Sequence, residues 1–305
     1  MQAIAIPFLL VVGALLSVQA AANVQLSASV GSPAGGATLQ LAVGAVALLL
    51  ATLAAGTLAA LGVLVEVTPW HLVGGVASAV YISAGILLFP RLGAVVTVGL
   101  FIAGQVLASL LIDTAGWLGV APRPAGAAAL VGTLAVLGGA ATIVRAQGAG
   151  HAAPQSAGWI AFAALAGAAL PVQGAINAQL RADLDAPITA ALWSFVVATA
   201  AMAAVFAVFA ARGRAPAPRA AALRGVPWWG WLGGLCGATY VTSVFLLIPH
   251  IGVAPTVGLT VAGQQVASIL VDRHGWMRLP RRAVTPARLA GVAVLLGGVA
   301  LIQVA

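Results

Sequence analysis

Gln105, Ser109 and Asp113 stand four residues apart, and so do Gln264, Ser268 and Asp272. On a helix that spacing puts all three side chains on one face. An amide, a hydroxyl and a carboxylate in a row can hydrogen-bond a solute, relay a proton or hold a neighbouring helix. Each triplet sits in sequence otherwise made of Val, Leu and Ile, so its helix has one polar stripe and a lipid-compatible remainder. Gly99, Ala103 and Gly104, with Gly258, Ala262 and Gly263, lie beside the stripes, where small residues let another backbone approach. Asp113 and Asp272 fall near the C-terminal ends of their helices and oppose the helix dipole. Each is either a gate or proton-linked group, or an interfacial residue in headgroup water.

A second polar signature pairs Gln19 and Asn23 with Gln173 and Asn177, each pair at i and i+4. An unpaired carboxamide in hydrocarbon is costly, so these four must face protein or a wet cavity. They line a substrate path or they bond helix to helix. Tyr81 and Tyr240, in the middle of their spans, have the same two options.

These residues recur because the chain is written twice. Residues 70–117 align without a gap on residues 229–276, at an offset of 159, with 22 identities in 48 positions. Tyr81/Tyr240, Pro90/Pro249, Gly93/Gly252, Gln105/Gln264, Ser109/Ser268 and Asp113/Asp272 are among them. The Gln19/Asn23 signature returns at an offset of 154, because a loop of the second half is longer.

The copies live in a membrane. At 305 residues, 62% hydrophobic and only 6% charged, with a mean hydropathy of +1.12, the chain lacks the polar surface of a soluble globule. Apolar windows of about 20 residues, the length that crosses a bilayer as helix, come ten times. The expected spans are 4–29, 35–58, 70–89, 93–112, 125–144, 157–180, 187–210, 229–248, 252–271 and 286–304. Pro and Gly clusters separate them, and Pro171 should kink the sixth. The expected fold is all-α: a polytopic membrane protein of ten transmembrane helices, in two five-helix repeats over residues 1–149 and 150–305. Five is odd, so the second copy enters from the opposite face and the repeats are inverted, as in many secondary transporters. Met1 to Gln19 lacks a basic n-region and its apolar run is too long for a signal peptide, so it reads as a retained first helix.

The net charge of +8 comes from 13 arginines and no lysine. Sorted by loop, Arg91, Arg145, Arg212, Arg214, Arg219, Arg224, Arg273, Arg278, Arg281, Arg282 and Arg288 share one face, and only Arg123 and Arg181 share the other. The positive-inside rule makes the first face cytoplasmic and puts both termini outside. Arginines confined to loops, without interleaved aromatics, argue against nucleic acid as a partner. Trp70, Trp117, Trp228, Trp229, Trp231 and Trp276 sit at span ends, as interfacial anchors do.

Enzyme readings find little support. Without lysine there is no Walker lysine, so no P-loop hydrolysis of ATP. His71, His151, His250 and His274 lack the spacing and company of a metal site, and the single cysteine, Cys236, excludes a disulfide framework. Neither a metal nor a cofactor is expected.

The runs from Pro171 to Leu180, Trp193-Ser194-Phe195, Trp229 to Gly234 and Ala262-Gly263-Gln264 through Ser268 to Asp272 resemble the YdcZ-like bacterial inner-membrane proteins. That family belongs to the drug/metabolite transporter (DMT) superfamily and occurs as five-helix units and as fused pairs. The resemblance covers nearly the whole chain and is strongest in the second half. In the first half Leu39 and Gln40 stand where the second has Trp193 and Ser194. The resemblance implies a transporter fold in the plasma membrane, and neither catalytic residues nor a named substrate.

Two functions remain. One is a secondary, non-ATP transporter that moves a small molecule by alternating access of its two halves. Its path would be lined by Gln19, Asn23, Tyr81, Gln105, Ser109, Gln173, Asn177, Tyr240, Gln264 and Ser268, with Asp113 and Asp272 as gate or proton-linked groups. The other is a membrane scaffold or regulatory subunit in which the same residues only join helices. The expected partners are a small-molecule substrate and the lipid bilayer; a homo-oligomer is permitted but not required.

Overall fold

The structure, a computed structural model, describes residues 2–92, 94–148, 157–215, 223–279, 281 and 284–303. Gly93, His151, Pro216, Pro218, Arg219, Arg282 and the boundary between 149 and 150 lie outside these residues. The described chain is all-α. Its helices are α1 (Gln2–Val30), α2 (Pro33–Ala54), α3 (Gly74–Leu92), α4 (Ala94–Ala115), α5 (Ala127–Gly148), α6 (Ala157–Gly167), α7 (Ala169–Leu184), α8 (Pro187–Ala211), α9 (Leu232–Ile251), α10 (Val253–His274) and α11 (Pro286–Gln303). Eight stretches among the described residues are long and apolar enough to cross a membrane, and Ala127–Ile143 and Pro286–Ile302 are shorter apolar helices. Large apolar side chains face outward along them, including Ile4, Leu50, Leu134 and Leu165 at 62–76% exposure, as lipid contact requires.

The breaks follow local chemistry. Ser32 accepts the Gly35 amide at 3.1 Å and Pro33 opens α2, a standard helix start. The expected second span, 35–58, ends early because Gly56 takes a positive φ of 68°, and a short 3-10 helix, Leu58–Val65, follows. The sixth span is broken at Ala168, so Pro171 lies in the first turn of α7. A proline ring clashes with the carbonyl four residues back, so the interruption comes just ahead of it. Gly252, with φ 93°, separates α9 from α10.

The helices form two compact units that do not follow the sequence copies. One unit comprises residues 1–14, 84–172 and 247–305; the other comprises residues 15–83 and 173–246. Each draws on both copies. The first holds α4, α5, α6, α10 and α11 whole; the second holds α2 and α8 whole.

In the first unit α5 packs along α11 through glycines: a Cβ on Gly132 would meet the Gly298 carbonyl, and one on Gly139 the Gly291 carbonyl. These are the same contact with the copies exchanged, since Gly132 matches Gly291 and Gly139 matches Gly298 at the offset of 159. The exchange recurs. Gly104 abuts the Ala164 carbonyl as Gly263 abuts that of Leu10, and Gly13 abuts the Thr260 carbonyl as Gly167 abuts that of Phe101. In the second unit Gly75 lies on the Ser194 carbonyl and Gly234 on that of Gln40, again matched positions. At each of these places only hydrogen fits, which is how small residues bring transmembrane helices into backbone contact.

Candidate functional site

The second unit contains Gln19, Asn23, Tyr81, Gln173, Asn177 and Tyr240. Gln173 and Asn177 sit one turn apart on α7, 2% and 0% exposed. Ser78 of α3 donates its hydroxyl to Gln173 Oε1 at 2.8 Å, and Asn177 Nδ2 donates to the Ser194 hydroxyl of α8 at 2.9 Å. Each bond uses half of a carboxamide. Gln173 Nε2 and Asn177 Oδ1 are buried without a hydrogen-bond partner, and Gly74, at the start of α3, lies directly against Asn177 Oδ1.

The first-copy pair is held differently. Ser78 is matched by Gly237, which has no hydroxyl; Gln19 lies against that glycine, and its Oε1 is buried without a partner. Ser194 is matched by Gln40, whose Oε1 is also without a partner and packs near Gly233. Asn23 accepts the Ser27 hydroxyl at 3.5 Å. Tyr81 is half-buried and Tyr240 buried. One turn beyond Asn177, Arg181 has a buried Nε without a partner, while its neighbour Asp183 is paired with His71.

The first unit contains Gln105, Ser109, Asp113, Gln264, Ser268 and Asp272. The first-copy stripe is buried throughout, at 3%, 1% and 4% exposure in that order, whereas its second-copy match is half-buried. Ser109 and Ser268 donate to carbonyls of their own helices, those of Val106 and Gln265.

The two aspartates have different partners. Asp113 accepts the Val253 amide at 2.8 Å and the Ala254 amide at 2.6 Å, so its carboxylate caps the start of α10. The Arg123 amide in turn donates to the Asp113 carbonyl at 2.7 Å, and the Arg123 guanidinium donates to the His250 carbonyl at 3.0 Å. Carboxylate and guanidinium thus clasp the break at Gly252 from both sides. A carboxylate that opposes its own helix dipole serves the dipole of another helix. Asp272 instead pairs with Arg288 at 2.8 Å, and Arg288 also donates to the Ser268 hydroxyl at 3.3 Å. The residue matching Arg288 in the first copy is Ala129, so this pair belongs to one copy alone.

The candidate residues therefore divide between two units, the carboxamides and tyrosines in one and both stripes in the other. Sequence reasoning missed Ser78, Ser194, Arg123 and Arg288 as partners. Ser78 and Arg288 carried a signal in that each interrupts the repeat, facing Gly237 and Ala129.

Against known proteins, the DMT_YdcZ family model, described as "Putative inner membrane exporter, YdcZ", matches twice, over residues 4–142 and 158–301. The chain belongs to this family. It is thus a multi-pass inner-membrane protein of a DMT exporter family in fused tandem form, one family unit per copy. No curated protein matches the chain. A solved structure described only as "Crystal structure of protein" has the same fold, with a TM-score of 0.63 and 22% identity over 98% of this chain and 97% of that one.

Proposed function

We propose that this DMT_YdcZ member is a secondary transporter that moves a small solute across the inner membrane by alternating access of two inverted repeats, without ATP. The observation that carries this reading is the exchange of contacts between copies. Gly104 on Ala164 against Gly263 on Leu10, and Gly75 on Ser194 against Gly234 on Gln40, are the pairings expected when two like halves meet about a pseudo-two-fold axis. Ten spans, five to a copy, give those halves opposite orientation in the bilayer. Carboxamides with unused hydrogen-bonding groups supply a place for a solute.

The substrate is neutral, zwitterionic or weakly charged, because no carboxylate stands mid-span to exchange a proton for a cation. Proton dependence, where present, runs through Asp113 and Asp272. The arginine distribution supports an orientation with both termini outside the cytoplasm. A reporter active only in the cytoplasm should be silent after Ala305 and active within the loop from Arg212 to Arg224; the reverse pair of results overturns the orientation. For transport itself, solutes that stabilise the purified protein are to be loaded into proteoliposomes. Protein-dependent, saturable flux supports the transporter, and binding without flux supports a scaffold or regulatory subunit.

A further inference from the structure

Three consecutive turns of α7 present Gln173, Asn177 and Arg181 on one face. At 1.5 Å per residue the stripe runs roughly 12 Å. All three keep a buried polar atom without a partner: Gln173 Nε2 and Arg181 Nε are donors, and Asn177 Oδ1 is an acceptor. Leaving such groups unmade in a membrane interior is costly, and satisfying them takes only one neighbouring hydroxyl each.

Arg181 is out of place in a second way. Of 13 arginines only Arg123 and Arg181 fall on the arginine-poor side. Arg123 has a structural task, since it holds the His250 carbonyl. Among the described residues no carboxylate comes within ion-pair distance of Arg181: Asp183 is engaged by His71, and Asp185 follows in the link to α8. The first copy has Ser27 at the matching position, so the cation is present once.

We propose that Gln173, Asn177 and Arg181 form the polar subsite for a small solute that carries one oxyanion and, a few ångströms from it, a hydrogen-bond donor. This rests on the transporter reading and narrows its substrate to a monoanion or a zwitterion. The guanidinium binds the carboxylate or phosphate oxygens in a fork that lysine does not reproduce. The Gln173 amide adds a donor, and Asn177 Oδ1 takes the solute's hydroxyl or ammonium hydrogen. A lipid headgroup offers Arg181 the same oxyanion, but it brings no donor two turns into the helix, where Gln173 and Asn177 are buried.

The test measures unfolding of the purified full chain in neutral detergent with three probes of one size: 4-hydroxybenzoate, 4-hydroxybenzamide and 4-hydroxybenzylammonium. 4-Hydroxybenzoate should raise the unfolding temperature saturably, and the other two should leave it unchanged. Arg181→Gln should weaken that binding at least tenfold, Arg181→Lys should restore part of it, and Gln173→Leu should weaken it severalfold. An equal effect of the amide, unchanged binding in Arg181→Gln, or no effect of any probe overturns the subsite. In nanodiscs of phosphatidylcholine the benzoate effect should persist when phosphatidylglycerol is added. If the anionic lipid replaces it in an Arg181-dependent way, Arg181 holds a headgroup and the solute site is wrong. Arg181-dependent binding without flux in proteoliposomes defeats transport and leaves the subsite standing; flux without Arg181-dependent binding does the reverse.

Discussion

The unit of residues 1–14, 84–172 and 247–305 and the unit of residues 15–83 and 173–246 are both built from two copies of one sequence, yet among the described residues the second leaves more buried polar atoms without a partner. In the first, polar side chains are joined to protein: Asp113 to two amides of α10, Arg123 to the His250 carbonyl, Arg288 to Asp272 and Ser268. Among the described residues, Gln19, Gln40, Thr52, Gln173, Asn177 and Arg181 of the second all retain a buried atom without a partner, and in the first Thr133 does so. A satisfied buried group fixes one geometry, and an unsatisfied one has capacity left for a ligand. The first unit is read as the rigid one and the second as the one that meets solute.

The largest effect is expected at the clasp. Asp113→Ala removes the acceptor for two buried amides and should destabilise the protein by about 2–4 kcal/mol. Asp113→Asn keeps one acceptor and should cost about half as much, read from denaturant or thermal unfolding of the purified protein. Tolerance of both changes would show that the first unit is not held by its polar contacts.

The next effect tests the equality of the copies. Gly104→Ala and Gly263→Ala each drive a methyl into a backbone carbonyl, that of Ala164 or of Leu10. Each should cost about 1–3 kcal/mol, and the two costs should agree. A large difference between them would mean that the exchange of copies does not extend to the packing energy.

Smaller still is the expected stability change at the glutamines. Gln173→Leu, Gln105→Leu and Gln264→Leu should each shift stability by less than about 1 kcal/mol, since interhelical hydrogen bonds in membranes average below that. Transport should fall sharply while folding survives. If stability falls in step with activity, the amides serve packing.

Comparably mild should be Asp272→Asn, about 1 kcal/mol or less, because this aspartate is partly exposed and its loss leaves Arg288 a hydroxyl. Combined with Asp113→Asn it should abolish flux driven by a pH gradient and leave downhill exchange measurable in proteoliposomes. Full gradient-driven accumulation in the double variant would remove both carboxylates from coupling.

Much of this was legible in the sequence because hydrophobic length, Pro and Gly breaks and helical periodicity are local properties. Span 187–210 lies inside α8, and 252–271 differs from α10 only at its ends. The i, i+4 spacing correctly placed Gln173 beside Asn177. Partners were not legible: Asp113 finds its amides 140 residues away, and nothing within its own helix suggests that it caps another. The division into units was also hidden, because a repeat in sequence says which segments are alike and not which segments pack together. By sequence Arg181 is a topological exception, and its buried Nε without a partner is a property of the packing that no local pattern encodes.

The central claim is alternating access, and it can be tested without a known substrate. Asn177→Cys in a Cys236→Ala background places one thiol on the α7 stripe. Right-side-out and inside-out sealed vesicles are then treated with a small, membrane-impermeant methanethiosulfonate reagent. The account predicts modification in both preparations, because the stripe opens to each side in turn. Modification from one side alone, or from neither, would contradict it.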